Sequence, residues 1–411
     1  MRVAIDAERL LGSLDMLAQM GAIDGGGCCR LAYSEEDATG RRWLASRMRM
    51  LEMDVRIDAI GNVIGRFEGR DPTLPAVMMG SHIDTVRTGG RYDGNLGVLA
   101  GLEVVAALRD AGLRPLRAIE VGAFANEEGA RFAPDMMGSL VYVGDLDLAA
   151  AMDACDVDGV RVGDAGAASG CFGDAAVPGP RPYAFLELHI EQGPVLDREG
   201  FDLGVVEAVQ GICWQRYTFH GTSNHAGTTP MAMRRDAGYV AMRVGALVRE
   251  LPARYPGEMV ATVGVLRLEP ELVNVVPRRA EMTIDLRNVD RDALVAARDE
   301  LDTEIRRIAE AEGVRVERES MAWFDPFRFD AGVVERIAGH CAGTGRRVRR
   351  MVSGAGHDAQ ILGRVSPAGM IFVPSVAGLS HNVREHTEAE HLVLGAQVLT
   401  DVAVELAEEA A

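Results

Sequence analysis

Residues 75–83 read PAVMMGSHI, a run of mostly apolar residues that ends beside a histidine. A short continuous run of this kind is typical of a strand buried on both faces of a sheet. Two later stretches repeat the pattern, RAIEVGAFAN at 117–126 and YAFLELHIEQGP at 183–194, each with polar side chains near its carboxyl end. Between the first two runs, GVLAGLEVVAALRDAG at 97–112 has apolar residues at helical spacing. This alternation predicts an α/β fold with candidate site residues at one edge of its sheet.

The pattern of elements changes after about residue 212. CWQRYTFHG at 213–221 alternates like a half-exposed strand. Further helices are predicted near 234–251 and 290–312, and further strands near 259–268, 279–287 and 314–321. This order is typical of a small α+β sandwich. We therefore predict two domains: an α/β domain with a mixed sheet, formed by 1–212 and 331–411, and an α+β lid inserted at 213–330.

Size, charge and composition exclude several classes of protein. The chain has 411 residues, six cysteines without CxxC spacing, no apolar run near the ~20 residues that span a bilayer and no signal-peptide pattern. We therefore expect a cytoplasmic protein with free thiols. A net charge of −18 argues against nucleic acid and anionic membranes as partners. All 43 basic residues are arginine, which excludes Schiff-base, Walker-type and carbamylated lysines.

Imidazole and carboxylate side chains recur in six short segments along the chain: GSHIDT (80–85), GGRYDGNLG (89–97), FANEEGARF (124–132), ELHIEQGP (187–194), SNHAGTTPM (223–231) and GLSHNVREHT (378–387). The candidate metal ligands are His82, Asp93, Glu128, His189 and His381. A hydrolytic two-metal site needs nitrogen and oxygen donors of this kind, a bridging carboxylate and a free base. Each residue alone has an ordinary explanation, such as a turn aspartate, a solvated acidic turn or a core histidine. Their joint occurrence is what indicates a metal site.

Residues beside the candidate ligands have predicted supporting roles. Glu127 and Glu128 are adjacent at a strand end, so their side chains point in different directions, and Glu127 is the candidate general base. Asp84, two residues after His82, is placed to accept the second ring proton of that histidine. His357 is interpreted as a supporting or helix-capping residue. Four histidines remain unassigned: His220, His340, His386 and His391.

These segments resemble the hydantoinase/carbamoylase branch of the M20 metallopeptidase-like amidohydrolases. This branch contains N-carbamoyl-L-amino acid hydrolases, β-ureidopropionases and allantoate amidohydrolases. The resemblance extends from RLAYSEED at 30–37 to GLSHNVREHT at 378–387. It implies that His82, Asp93 and His189 hold one metal, that Asp93, Glu128 and His381 hold the other, and that Glu127 is the base. One departure is Val383, where the family commonly has proline in the loop beside His381.

The resemblance also implies how the lid recognises substrate. His225, in SNHAGTTPM at 223–231, would reach the active site of the partner subunit and stabilise the oxyanion, which makes 213–330 a dimerisation domain as well as a lid. Contacts to the ureido and carboxylate groups are implied for Gln192, Asn274, Arg287 and Gly356. A guanidinium can bind a carboxylate through two parallel hydrogen bonds, although Arg287 alone would be read as a surface arginine.

The sequence therefore predicts a homodimeric dinuclear hydrolase that cleaves the ureido C–N bond of N-carbamoyl-L-amino acids or β-ureido acids. The products are the amino acid, ammonia and carbon dioxide. We expect two divalent ions per subunit, with zinc as the default and manganese, cobalt or nickel as alternatives. Allantoate hydrolysis is the alternative activity. A dipeptidase or deacylase is less expected, because those relatives carry a carboxylate where His189 stands. A catalytically silent homologue is disfavoured because every ligand and the base are present.

Overall fold

The computed structural model describes residues 3–410, which divide into two compact units. The α/β unit joins the residues before Ala208 to those from Arg328 onward, and the inserted unit is Ala208–Phe327. The sequence placed the corresponding boundaries at 213 and 330. No helix within residues 3–410 is long and apolar enough to cross a membrane. The six cysteines all lie in the described part of the chain, and none forms a disulfide there.

The α/β unit begins with helices and strands that alternate along the chain. In order, these elements are α1 (Ala7–Ala18), α2 (Glu35–Met50), β1 (Asp54–Ile57), β2 (Val63–Phe67), β3 (Val77–His82), α3 (Asn95–Asp110), β4 (Ile119–Phe124), α4 (Met137–Val143), α5 (Leu148–Asp153), α6 (Val162–Ser169), β5 (Ala184–Ile190), α7 (Val195–Glu199) and β6 (Leu203–Val209).

The inserted unit follows, and the chain then returns to the α/β unit. The elements of the insertion are β7 (Gly211–His220), α8 (Ala237–Glu250), β8 (Val260–Glu269), β9 (Arg279–Asn288), α9 (Arg291–Ala311) and β10 (Arg315–Phe324). The closing elements are β11 (Phe327–Arg328), α10 (Ala331–Gly343), β12 (Val348–Ser353), α11 (Asp358–Leu362), β13 (Ala368–Val373) and α12 (Ala389–Ala407). Short 3-10 helices occur at Met231–Met233, Leu251–Arg254 and Val376–Gly378.

The larger sheet is mixed, and its centre is parallel. Its strand order is β1-β2-β4-β3-β5-β13-β6-β11, with β12 paired to β6. The neighbours β4, β3, β5 and β13 are parallel to one another, whereas β2 and β6 join them antiparallel. Every residue of these four central strands is buried, which explains their continuous apolar runs. Parallel strands end at the same edge, so the segments that follow them come together there.

The inserted unit is a four-stranded antiparallel sheet packed against two helices. Its strand order is β10-β7-β9-β8, and α8 and α9 cover one face. Alternate residues of β9 are buried, which is the period of two that predicted this strand. Asp236 and Asp290 begin the two helices by accepting hydrogen bonds from backbone N–H groups three residues on. The predicted fold class is confirmed: an α/β fold with a mixed sheet and a separate antiparallel sheet with helices.

Candidate metal centre

The candidate ligands gather at the carboxyl edge of the parallel strands. His82 is the last residue of β3, and His189 lies one residue before the end of β5. Glu127 and Glu128 follow the end of β4 after a short turn, and His381 lies in the loop after β13. Segments that are three hundred residues apart in sequence therefore meet at one place in the α/β unit.

One group of possible ligand atoms contains His82, Asp93 and His189. Asp93 Oδ1 lies 3.3 Å from His189 Nε2 and 3.7 Å from His82 Nε2. All three residues are buried, and their candidate ligand atoms lie within 4.8 Å of one another. Gly94 makes this packing feasible, because its φ is +67° and a Cβ there would lie 2.4 Å from the His82 ring.

A second group contains Asp93, Glu128 and His381. His381 Nε2 lies 3.5 Å from Asp93 Oδ2 and 3.2 Å from Glu128 Oε2. Asp93 therefore presents one oxygen to His82 and His189 and the other oxygen to His381. A carboxylate shared in this way is the arrangement that two-metal hydrolytic sites use.

Glu127 lies beside the first group. Its Oε2 is 3.3 Å from His82 Nε2, whereas Glu128, its neighbour in sequence, reaches His381. Asn126 turns the chain immediately before the pair with a φ of +53°. Two further residues at the site, His381 and Gln192, also have positive φ, at 53° and 59°. Such conformations are costly for residues other than glycine and concentrate at functional sites.

Backbone carbonyl groups set the orientation of the two buried imidazoles. His82 Nδ1 lies 2.9 Å from the carbonyl oxygen of Asp84, and His189 Nδ1 lies 2.8 Å from that of Ile190. Because a carbonyl only accepts, each Nδ1 carries the proton and each Nε2 faces the candidate ligand group. In this structure His189 Nε2 accepts the backbone N–H of Gly94 at 3.1 Å. The predicted contact between the Asp84 carboxylate and His82 is corrected here. That carboxylate instead accepts the backbone N–H groups of Glu127 and Glu128, at 3.2 and 3.3 Å.

Polar side chains surround Asp93. Gln192 Nε2 donates to Asp93 Oδ2 at 2.9 Å, and Ser380 Oγ donates to the same oxygen at 2.6 Å. Glu385 accepts the backbone N–H of Asp93 at 3.2 Å. Gln192 was predicted to contact substrate, and its buried Oε1 has no hydrogen-bond partner within residues 3–410. Gly356, another predicted contact, lies in the loop before α11, where a Cβ would come within 3.0 Å of Met136.

The sequence did not identify Glu187, a buried support below the ligands. Its carboxylate accepts Ser81 Oγ at 2.6 Å and the backbone N–H of Ala359 at 2.8 Å, so it ties β3 to the start of α11. Glu187, His189 and His357 form a third group of possible ligand atoms. The available signal was spacing, because Glu187 precedes His189 by two residues and therefore shares its face of β5.

His357 supports the ligands through its ring. The centroid of the ring lies 4.6 Å from that of His189, and its Nε2 is 2.8 Å from Ser353 Oγ. It occupies the position before α11, but its side chain makes no capping hydrogen bond. The sequence left two interpretations of His357, a supporting residue or a helix cap. These contacts match the supporting role.

The charges of the site fit divalent cations. The ion-pair partners of Asp93, Glu127 and Glu128 in the described chain are all histidines. Burial, with Asp358 and Glu128 nearby, raises the pKa of Glu127 well above its usual value, and burial also raises the pKa of Glu128. Buried carboxylates that repel one another in this way are stabilised by a cation, and their mixture of imidazole and carboxylate donors suits zinc, manganese, cobalt or nickel.

The remaining predicted residues lie in the inserted unit. His225 is exposed, and Val275 is its partner in an isolated antiparallel bridge. The backbone carbonyl of Asn274 accepts the N–H of Ala226 at 2.9 Å, so His225 and Asn274 occupy neighbouring loops. Arg287 lies elsewhere in this unit, on β9.

Val383 contacts the glycine-rich loop at 25–27. A Cβ on Gly27 would lie 2.7 Å from Val383 Cγ1, and a Cβ on Gly25 would lie 3.0 Å from Cγ2. The absence of side chains at these glycines therefore leaves space for the side chain of Val383.

Fold and site together define a metal-binding hydrolase. The chain belongs to peptidase family M20/M25/M40, whose model matches residues 78–405, and within it to the hydantoinase/carbamoylase amidases, as the sequence predicted. It is 37% identical over 404 residues to an N-carbamoyl-L-amino-acid amidohydrolase of Rhizobium meliloti, covering 98% of this chain and 97% of the relative. It is 36% identical over 397 residues to an allantoate amidohydrolase of Escherichia coli, covering 96% and 97%.

A solved structure agrees over the full length. The crystal structure of a hydantoinase/carbamoylase family amidase from Burkholderia multivorans matches with a TM-score of 0.97 and 39% identity, covering 100% of both chains. The protein is therefore an amidohydrolase of this family, with buried histidine and carboxylate groups suited to metal binding.

Proposed function

We propose that this protein hydrolyses the ureido C–N bond of N-carbamoyl-L-amino acids. The observation that carries the proposal is the carboxylate of Asp93, which lies between two groups of ligand atoms with Glu127 beside them. Full-length similarity to N-carbamoyl-L-amino-acid amidohydrolases supports the substrate class.

The residues present fit two divalent ions. His82, Asp93 and His189 would hold one, and Asp93, Glu128 and His381 would hold the other. When bound, such ions polarise a carbonyl group and lower the pKa of water. We take zinc as the default ion. Manganese, cobalt and nickel also suit these donors, and the availability of each divalent ion decides which one is bound.

Glu127 is the proposed general base and acid. It removes a proton from the attacking water and delivers that proton to the leaving amine nitrogen. The C–N bond to the amino acid breaks, and the carbamate that remains releases ammonia and carbon dioxide. Burial of Glu127 keeps competing solvent away from this proton transfer.

The remaining proposed roles concern substrate binding and stabilisation of the oxyanion. His225 donates a hydrogen bond to the developing oxyanion, from the partner subunit of a homodimer. Arg287 binds the substrate carboxylate, while Gln192, Asn274 and Gly356 contact the ureido and carboxylate groups. A binding role for Gln192 is supported by its buried Oε1, which has no hydrogen-bond partner among the described residues.

Allantoate is the second candidate substrate, since the relative that hydrolyses it is similar to nearly the same degree. A direct comparison distinguishes the two: purified protein loaded with zinc, manganese or cobalt is given N-carbamoyl-amino acids and allantoate, and ammonia release is measured. We expect higher kcat/KM on N-carbamoyl-amino acids. Faster turnover of allantoate would replace the proposal with the second candidate. Activity on dipeptides or acyl-amino acids alone, or metal binding without any turnover, would refute both.

A further inference from the structure

One face of β9 carries only polar side chains. Ala280, Met282, Ile284 and Leu286 are buried in the core of the inserted unit. The intervening residues, Arg279, Glu281, Thr283, Asp285 and Arg287, occupy the opposite face, because side chains alternate along a strand. Asp285 and Arg287 are therefore neighbours on this face.

These two residues form an ion pair through one edge of the guanidinium. Arg287 Nε lies 3.2 and 3.1 Å from the two carboxylate oxygens of Asp285, and Arg287 Nη2 lies 2.9 Å from Oδ2. The side chains of Arg287 and Asp285 are 24% and 29% exposed to solvent. A paired and half-buried guanidinium of this kind has a fixed plane and direction, whereas an arginine without such a contact samples many rotamers.

The cross-strand neighbours of Arg287 do not supply a second carboxylate. In the register of the sheet, Arg287 lies opposite Ile212 on β7 and Val260 on β8. Asp285 lies opposite Trp214 and Thr262. The carboxylate that β9 itself places beside Arg287 is that of Asp285, two residues away on an inner strand of this sheet.

We propose that Asp285 is a positioning residue for the substrate carboxylate. By holding the guanidinium of Arg287 in one orientation, it removes the loss of side-chain freedom that Arg287 would otherwise undergo when substrate binds. The inference rests on the proposed function, since it takes Arg287 as the group that binds the carboxylate.

The same strand provides a matched control. Arg279 and Glu281 form an ion pair with the same spacing on the same face, at 2.8 Å. Asp285→Asn and Glu281→Gln each remove one carboxylate charge from this face, and Arg279 keeps a second partner, Glu269, at 2.8 Å. An effect seen only in Asp285→Asn is therefore not caused by the loss of charge on this face alone.

The test compares KM and kcat for an N-carbamoyl-amino acid and for its carboxamide, which lacks the carboxylate. Asp285→Asn should raise KM for the carboxylate substrate by about 2- to 10-fold, the usual effect of one newly immobilised side chain, with kcat nearly unchanged. KM for the carboxamide should stay the same. Glu281→Gln should change neither value. In an Arg287→Ala background, Asp285→Asn should have no further effect.

Several results would overturn the inference. An unchanged or lower KM would show that Asp285 does not orient Arg287 or that it competes with substrate. Equal increases for both substrates, or the same increase in Glu281→Gln, would show a general effect on the sheet. Thermal unfolding and a second variant, Asp285→Ser, separate misfolding from lost positioning. If the wild type hydrolysed no ureido substrate, the proposed function would fail, but calorimetric Kd values in Glu127→Gln would still test Asp285.

Discussion

Replacing Glu127 by glutamine separates catalysis from metal binding. Glu127 belongs to neither group that shares Asp93, and its Oε2 lies 3.3 Å from His82 Nε2. Glutamine has nearly the same volume, so the 8%-exposed site is preserved. The amide cannot accept a proton from water or return one to the leaving amine. We therefore expect metal content to remain and kcat to fall.

The expected loss follows from the chemistry of the missing group. Positioned acid–base catalysis contributes roughly 10²–10⁴ in rate, which corresponds to about 2.7–5.5 kcal/mol in activation free energy. Binding residues and cations remain, so activity above the uncatalysed rate should survive. KM should change little, because Glu127 transfers a proton in the transition state and does not bind the substrate in the ground state.

The assay pairs ammonia release with elemental analysis, and Glu128→Gln is the adjacent control. Glu128 Oε2 lies 3.2 Å from His381 Nε2 in the second ligand group. That variant should therefore lose metal, with occupancy falling toward one ion per subunit. The opposite result, in which Glu127→Gln loses metal and Glu128→Gln keeps it, would show that the two roles are reversed.

Three further predictions concern ions, protons and assembly. Chelation should abolish activity, and active protein should contain about two ions per subunit; active protein without metal would refute the mechanism. A hydrogen bond to Glu128 raises the pKa of His381 to about 9, and contact with Asp93 outweighs burial to raise the pKa of His189 to about 9. Metal affinity should therefore rise with pH up to about 9 in competition titrations, because protonated imidazole cannot bind an ion; constant affinity would contradict this. Co-expressed Glu127→Gln and His225→Ala chains should recover part of the wild-type activity in mixed dimers, and no recovery would exclude action of His225 across subunits.

The fold class and the meeting place of the candidate ligands could be predicted because local sequence marks them strongly. A buried parallel strand is continuously apolar, so a histidine at its end, such as His82, is conspicuous. The short edge strands β1 and β12 were not predicted, because runs of four to six partly polar residues resemble loops.

Contacts made through the main chain or between distant segments were not accessible from sequence. The HxD spacing suggested that the Asp84 carboxylate holds His82, whereas the backbone carbonyl does so. Glu187 joins Ser81 to Ala359 across sequence separations of 106 and 172 residues. Its spacing from His189 indicates the shared face of β5 but not these two distant partners. The Asp285–Arg287 pair, in contrast, follows from a spacing of two on a strand.

The buried acids of the site connect metal binding to stability. Glu127, Glu128 and Glu187 are largely removed from solvent, and burial raises the pKa of each above its usual value, so these carboxylates cannot all be ionised at low energy without a cation. Their charge destabilises the folded chain when no ion is bound. An ion that binds this arrangement only in the folded state stabilises it in proportion to the logarithm of its concentration. The electrostatic repulsion between these carboxylates therefore has two effects. It destabilises the fold without an ion, and it increases the affinity for cations at the sheet edge, next to the buried Glu127.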